Sequence, residues 1–177
     1  RCCRRAKVHT PRARLSPLLS STAHAPCAFT HHAHTAFVYS SHCAGPISEA
    51  AAIARYVARM RADTGMYGSS FYEAGLVDQW IEFAKNELDL PIGMWIYPIL
   101  GFISSNATNT DKAKEDVKRA LAVLNAHLVK HTFLAAEAIT AADVVVACSL
   151  LNAFKLVFDG PFLAPFPSLV RWFTTCK

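Results

Sequence analysis

Two histidines with helical spacing have side chains that could bind a metal ion. His127 and His131 stand four residues apart, so both side chains lie on one face of a helix. No acidic residue or cysteine lies within one helical turn of either histidine to complete a ligand set. A histidine pair near a helix C-terminus is explained more simply by the favourable interaction of positive charge with the helix dipole. The sequence therefore predicts no metal site.

The six cysteines do not indicate a metal or redox centre either. Four of them lie in the first 45 residues, and the other two, Cys148 and Cys176, stand in apolar helical segments. No C-x-x-C pair occurs, which argues against a zinc ribbon and against a thioredoxin-type redox pair. We interpret Cys148 and Cys176 as buried structural thiols.

A capping box precedes the most apolar part of the chain. Thr140 and Asp143 have the required spacing, with Asp in place of the usual Glu. The hydroxyl can accept from the Asp143 N–H, and the carboxylate can accept from the Thr140 N–H. Residues 144–158 are then apolar on nearly every side, and a helix without a polar face belongs in the middle of a protein. We predict an all-α helical bundle built around this buried, capped helix.

Further helices surround this one. Ser48 is the predicted N-cap of the first. Ser70 and Glu73 form a second capping box, and the helix that they begin is interrupted at Pro91. The apolar segment after Pro91 continues as a kinked or second helical piece. No alternating strand pattern appears after residue 45. The remaining predicted helices span residues 111–130 and about 167–176.

The positive charge of the chain belongs to its first segment. Residues 1–46 hold six Lys and Arg and no acid, whereas the remainder holds twelve bases and thirteen acids, which together give the net charge of +5. The helical part is therefore not predicted to bind nucleic acid directly. No apolar run is long enough to span a membrane.

Residues 1–45 show no sustained apolar period and are predicted to form a disordered or non-native leader. Three interpretations compete: an organellar transit peptide, a disordered tail, and translated non-coding sequence. We favour translated non-coding sequence, because the recognisable sequence pattern of the rest of the chain begins abruptly at Gly45-Pro46.

Three segments resemble the glutathione S-transferase superfamily. The T-x-x-D box before a buried helix is similar to the sixth helix of its C-terminal domain. Residues 49–57, Glu-Ala-Ala-Ala-Ile-Ala-Arg-Tyr-Val, resemble the E-S-x-A-I-x-x-Y segment that ends its thioredoxin-like half, and residues 166–172 resemble its late P-x-L-x-x-W helix. The resemblance implies a remnant last helix of the thioredoxin-like half at 46–66, with the rest of that half missing, and a C-terminal-like helical domain at 67–177.

Within that superfamily, residues 75–84 and 125–128 look most like the elongation factor 1 gamma subunits, the trypanosomatid members above all. This resemblance implies a non-catalytic cytoplasmic scaffold without a cofactor. The scaffold would anchor the beta-type guanine-nucleotide exchange subunit and, indirectly, elongation factor 1 alpha. The alternative is a transferase that conjugates glutathione or trypanothione to electrophiles. Apolar surface left open by the missing half would favour aggregation or a homo-oligomer.

The resemblance also marks a weak thiol-ligand site at Glu49 and Ala50. In the family, the acid holds the amino group of the γ-glutamyl arm of glutathione, and the next residue is a Ser that receives the γ-glutamyl carboxylate. Ala50 lacks that hydroxyl, a loss worth about 0.5–1.5 kcal/mol, although the helix N-terminus still offers N–H groups to an anion. The simpler interpretation is that Glu49 is a first-turn acid that favours the helix dipole. The family's catalytic Tyr, Ser or Cys belongs to the missing half, so no catalytic residue is assigned.

The resemblance also implies a hydrophobic substrate pocket, of the kind that transferases build beside the helical segment after Pro91. An ordinary core cluster is the alternative. The residues concerned are Met94, Trp95, Tyr97 and Phe102.

Overall fold

The computed structural model describes residues 47–104 and 106–177, together with the backbone of two short segments that precede them. These segments are strands β1 (Phe29–His32) and β2 (Thr35–Val38). They pair antiparallel, with Phe29 opposite Val38. No strand was predicted here, because four residues are too few to establish an alternating pattern, although Phe, Thr and Val favour strands. The remainder of the leader lies outside the described residues.

Every regular element described from residue 50 onward is helical, and the predicted all-α bundle is confirmed. A single 3₁₀ turn, Ala62–Thr64, follows the first helix. The helices are α1 (Ala50–Met60), α2 (Phe71–Phe83), α3 (Leu90–Ile99), α4 (Ala107–Lys130), α5 (Ala141–Leu156), α6 (Gly160–Leu163) and α7 (Pro167–Cys176).

A six-residue π-helical segment, Ala84–Asp89, joins α2 to α3, so the chain stays helical from Phe71 to Ile99. Pro91 has no N–H group and cannot complete the α-helical ladder. The wider π turns lie directly before it, where the ladder has to be rearranged. The interruption predicted at Pro91 is therefore a change from π-helix to α-helix within one uninterrupted helical segment.

The core lies between α2, α4, α5 and α7. The apolar stripe of α4 is fully buried, and Val146, Leu150 and Ala153 of α5 pack in the centre. However, α5 is not buried all round, because Val144 and Leu156 are exposed. The prediction of an entirely buried helix is thus wrong for one face, which lies open between α1 and α3 in the described part of the chain. The buried stripe of α4 consists of Val117, Leu121, Leu124 and Leu128.

Helices α4 and α7 cap each other. The side-chain oxygen of Asn125 accepts from the backbone N–H groups of Ser168 and Leu169, at 3.0 and 3.2 Å. In return, the Arg171 guanidinium donates to the carbonyl of Leu128 at 2.6 Å. A side chain of each helix therefore pairs with terminal backbone groups of the other helix, which have no intrahelical partner. These contacts hold α7 in a defined position against α4.

Candidate functional site

An open cleft of about 690 Å³ lies between α1, α3 and α5. Its walls are mainly apolar and include Ile96 and Tyr97 of α3 and the open face of α5. Lys85, Asp89 and Asn152 add polar groups at its edges. A concave, largely apolar surface with a few polar groups is the usual form of a ligand or partner site, so this cleft is the candidate site.

Glu49 directly precedes Ala50, which lines the cleft, and has an unusual backbone conformation. Its φ of 73° and ψ of 124° are uncommon for a residue other than glycine, and such a conformation costs about 1–3 kcal/mol. Glu49, and not Ser48, is the N-cap of α1, so the predicted N-cap was wrong by one residue. The side chain caps no N–H group; its carboxylate lies 3.5 Å from the Lys85 ammonium. Ala50 begins the helix and lines the cleft.

The four residues predicted to line a hydrophobic pocket lie on different faces of the bundle. Tyr97 lines the cleft. Phe102 is 75% exposed, and its ring lies edge-on to the Tyr97 ring, with 6.2 Å between the two centroids. Met94 lines a separate groove between α3 and α4. Trp95 is buried, with its ring 5.4 Å from that of Phe162. Consecutive helical residues point about 100° apart, so α3 separates Met94, Trp95 and Tyr97. Of the four residues, only Phe102, which follows the end of α3, lies beside Tyr97.

The capping box at Thr140 is present and belongs to a larger buried network. Asp143 is fully buried, and one carboxylate oxygen accepts from the N–H and the hydroxyl of Thr140, both at 2.9 Å. The other oxygen accepts from the Leu134 N–H at 3.0 Å and from the Trp172 indole N–H at 2.9 Å. One side chain thus joins the loop before α5 to α5 and α7. Sequence reasoning missed the last two donors, although a buried indole always needs an acceptor.

The two histidines stack at 4.5 Å between ring centroids. The Nε2 of His127 lies 2.9 Å from the carbonyl oxygen of Leu134. Burial lowers the pKa of His127, and the hydrogen bond to that carbonyl offsets only part of the effect. Within residues 47–104 and 106–177, no group of three or more potential ligands is placed to hold a metal ion.

Residues 83–177 match the family described as the glutathione S-transferase C-terminal domain, which is more than half of the chain. The chain belongs to this transferase C-terminal domain family.

More specific similarity lies with elongation factor 1 gamma proteins, and the resemblance to these subunits is confirmed. Special closeness to the trypanosomatid members stays a prediction. The chain is 40% identical over 131 residues to elongation factor 1-gamma 2 of Oryza sativa subsp. japonica, covering 74% of this chain and 31% of the relative. It is 43% identical over 128 residues to elongation factor 1-gamma of Danio rerio, covering 72% and 28%. The chain thus spans less than a third of the length of these relatives.

Solved structures agree with this family assignment. The GST-like domain of elongation factor 1-gamma from Saccharomyces cerevisiae superposes with a TM-score of 0.72 at 25% identity, over 79% of this chain and 66% of that one. A theta-class glutathione S-transferase from Xanthomonas axonopodis pv. citri gives 0.69 at 18% identity, over 80% and 74%. The second comparison shows the fold alone.

A polar network that sequence reasoning missed joins α1 to α2 of this transferase-like domain. Arg55 donates to Asp78 at 2.6 Å and to Glu82 at 2.5 Å. The Tyr67 hydroxyl also donates to Asp78, and the Arg59 guanidinium lies 4.1 Å from the centre of the Tyr67 ring. Burial raises the pKa of Asp78, but the hydrogen bonds from Tyr67 and Arg55 outweigh it, and the pKa lies below its usual value. The partners are 23 and 27 residues apart, so no local pattern reveals them.

The two cysteines of the described helices are not equivalent. Cys148 is exposed on α5, and its prediction as a buried thiol is wrong because it lies on the open face of that helix. Cys176 is half-buried on α7, and burial raises the pKa of its thiol to about 11.

The described helices include none that is long and apolar enough to cross a membrane.

Proposed function

We propose that this domain is the scaffold part of a cytoplasmic elongation factor 1 gamma subunit. In this role it anchors the beta-type guanine-nucleotide exchange subunit and, through it, elongation factor 1 alpha. The observation that carries the proposal is the identity of about 40% to elongation factor 1 gamma proteins across nearly three quarters of the chain. The role requires neither a cofactor nor a catalytic residue.

The packing of the bundle suits a scaffold. A surface that is rigid before binding loses less conformational freedom when a partner docks. Here Asp143 ties α5, α7 and the preceding loop together, and Asn125 and Arg171 fix α7 against α4. These contacts support a face whose shape is set before the partner arrives.

The test is co-purification of the full-length protein with the exchange subunit from the same source. A tagged full-length protein is expected to retain the exchange subunit through washing at physiological salt and to co-elute with it in gel filtration. The Asp143→Ala variant, in which four buried hydrogen bonds are lost, should retain much less exchange subunit. Absence of a complex with the unmodified protein would refute the scaffold role.

The second candidate is a glutathione or trypanothione S-transferase, favoured by one observation. Glu49 has positive φ at the N-terminus of α1, directly before the cleft-lining Ala50, and strained residues often mark ligand sites. If glutathione binds there, Ala50→Ser in the full-length protein should strengthen binding about two- to tenfold, because it adds one hydrogen bond. Glu49→Ala should weaken it. If calorimetry shows no binding and no electrophile is conjugated, this candidate is eliminated.

A further inference from the structure

A small groove between α5 and α7 has a cysteine on each wall. On α5, Val144, Cys148 and Leu151 follow the spacing of a single helix face. On α7, Phe173 and Cys176 are three residues apart and line the same groove from the other side. The groove has a volume of about 230 Å³ and is mostly apolar apart from the two thiols.

Contacts at both ends of α5 hold the two walls in place. Near the start of α5, the Trp172 indole donates to Asp143 at 2.9 Å. Near its end, the rings of Phe154 and Phe173 stack with their centroids 3.9 Å apart and their planes within 6°. Because α7 is fixed at two points, the cysteines remain on opposite sides of one groove.

We propose that Cys148 and Cys176 form a two-thiol site for trivalent organoarsenicals. Sulfur is a soft ligand and binds soft, thiophilic centres such as arsenic(III). Two cysteine sulfurs on facing helices can bind one arsenic atom together. Cys148 is the exposed thiol that meets the ligand first, and Cys176 is half-buried on the facing wall of the groove. An aryl group on the arsenic would lie against the apolar lining formed by Leu151 and Phe173.

The reaction is a condensation without an oxidant. The two thiols replace the oxygen of an arsine oxide: two As–S bonds form, the As=O bond breaks, and the oxygen leaves as water with both thiol protons. The arsenic also separates the sulfurs by one more atom than a disulfide does, so the close approach of the two Cα atoms in a disulfide is not required.

The test uses the full chain with the four leader cysteines changed to Ser and phenylarsine oxide as the probe. One equivalent of probe is added, excess glutathione competes as a monothiol, and the bound phenylarsenic is counted by intact mass. The parent is expected to retain one phenylarsenic and to release it to a dithiol. Cys148→Ser and Cys176→Ser should each retain it about a hundredfold less well, as expected when one of two linked contacts is lost.

A relocated thiol is the matched control. The variant Cys176→Ser with Thr174→Cys keeps two thiols but places the second on an exposed position of α7 outside the groove. It should behave like the single-thiol variants. Bound probe should also raise the melting temperature of the parent alone, because it links α7 to α5. The proposal fails if the parent loses the probe to glutathione as readily as the single-thiol variants, or if the relocated pair retains it equally well. The four leader cysteines are Cys2, Cys3, Cys27 and Cys43.

Discussion

Replacement of Asp143 by Asn tests whether the buried carboxylate holds the domain together. The change preserves size and shape but turns one acceptor oxygen into an NH₂ group. Of the four donors that meet the carboxylate, the Thr140 hydroxyl can rotate and accept from the new amide. The backbone N–H of Thr140 then faces a donor and loses its partner.

The expected loss follows from this count. A buried donor left without a partner costs about 1–3 kcal/mol, and bonds to a charged acceptor are stronger than those to a neutral one by a comparable amount. We therefore expect Asp143→Asn to lower the free energy of unfolding by about 2–4 kcal/mol. Asp143→Ala removes all four bonds and leaves a cavity, so its loss should exceed about 4 kcal/mol, a large part of the roughly 5–15 kcal/mol that stabilises a typical domain.

Urea unfolding followed by far-ultraviolet circular dichroism measures both losses, with the slope of the transition checked for a change of the denatured state. Asp111→Asn is the matched control, because among the described residues this exposed carboxylate pairs only with Lys114, at 3.4 Å. Its effect should stay within about 0.5 kcal/mol. A double-mutant cycle with Trp172→Phe isolates the indole bond. If Asp143→Asn were no more destabilising than the control, the reasoning about the buried network would be refuted.

Three further predictions follow from the described packing. Arg55→Ala should lower the free energy of unfolding by about 1 kcal/mol and speed hydrogen exchange in α1. Arg119→Ala, which removes an exposed ion pair, should do neither. Equal hydrogen exchange in the two variants would contradict this prediction. Because burial lowers the pKa of His127, the unfolded chain binds the proton more tightly. Stability should therefore fall as the pH drops through about 6.5, and less so in His127→Gln; identical pH profiles of the two proteins would count against it. The open face of α5 should drive self-association, and light scattering should show less of it in the Val144→Lys, Leu156→Lys variant; a parent that is monomeric at high concentration would show that the face needs no cover.

Periodicity predicted the parts of the fold that depend on neighbours along the chain. The buried stripe of α4 could be identified from the spacing of Val117, Leu121, Leu124 and Leu128, because one face of a helix repeats every three to four residues. The capping box of Thr140 and Asp143 could be identified for the same reason, since both partners lie within one turn.

The candidate site was predicted less well, because it depends on how helices face one another. Met94, Trp95 and Tyr97 are close in sequence, but the direction of each side chain from α3 separates them into a groove, the core and the cleft. The open face of α5 was missed because an apolar sequence does not reveal whether neighbouring helices cover it. Its exposure depends on the positions of α1 and α3.

The sequence by itself determined most of the helices, the capping box at Thr140 and the membership of the transferase-like family, since these follow from local spacing and local hydrogen bonds. Only the tertiary structure decided which groups those helices bring together. Asp143 meets Trp172 across 29 residues, and Arg55 meets Glu82 across 27. Such pairs form only when packing of the whole core places two helices side by side, and no pattern within one helix specifies that arrangement.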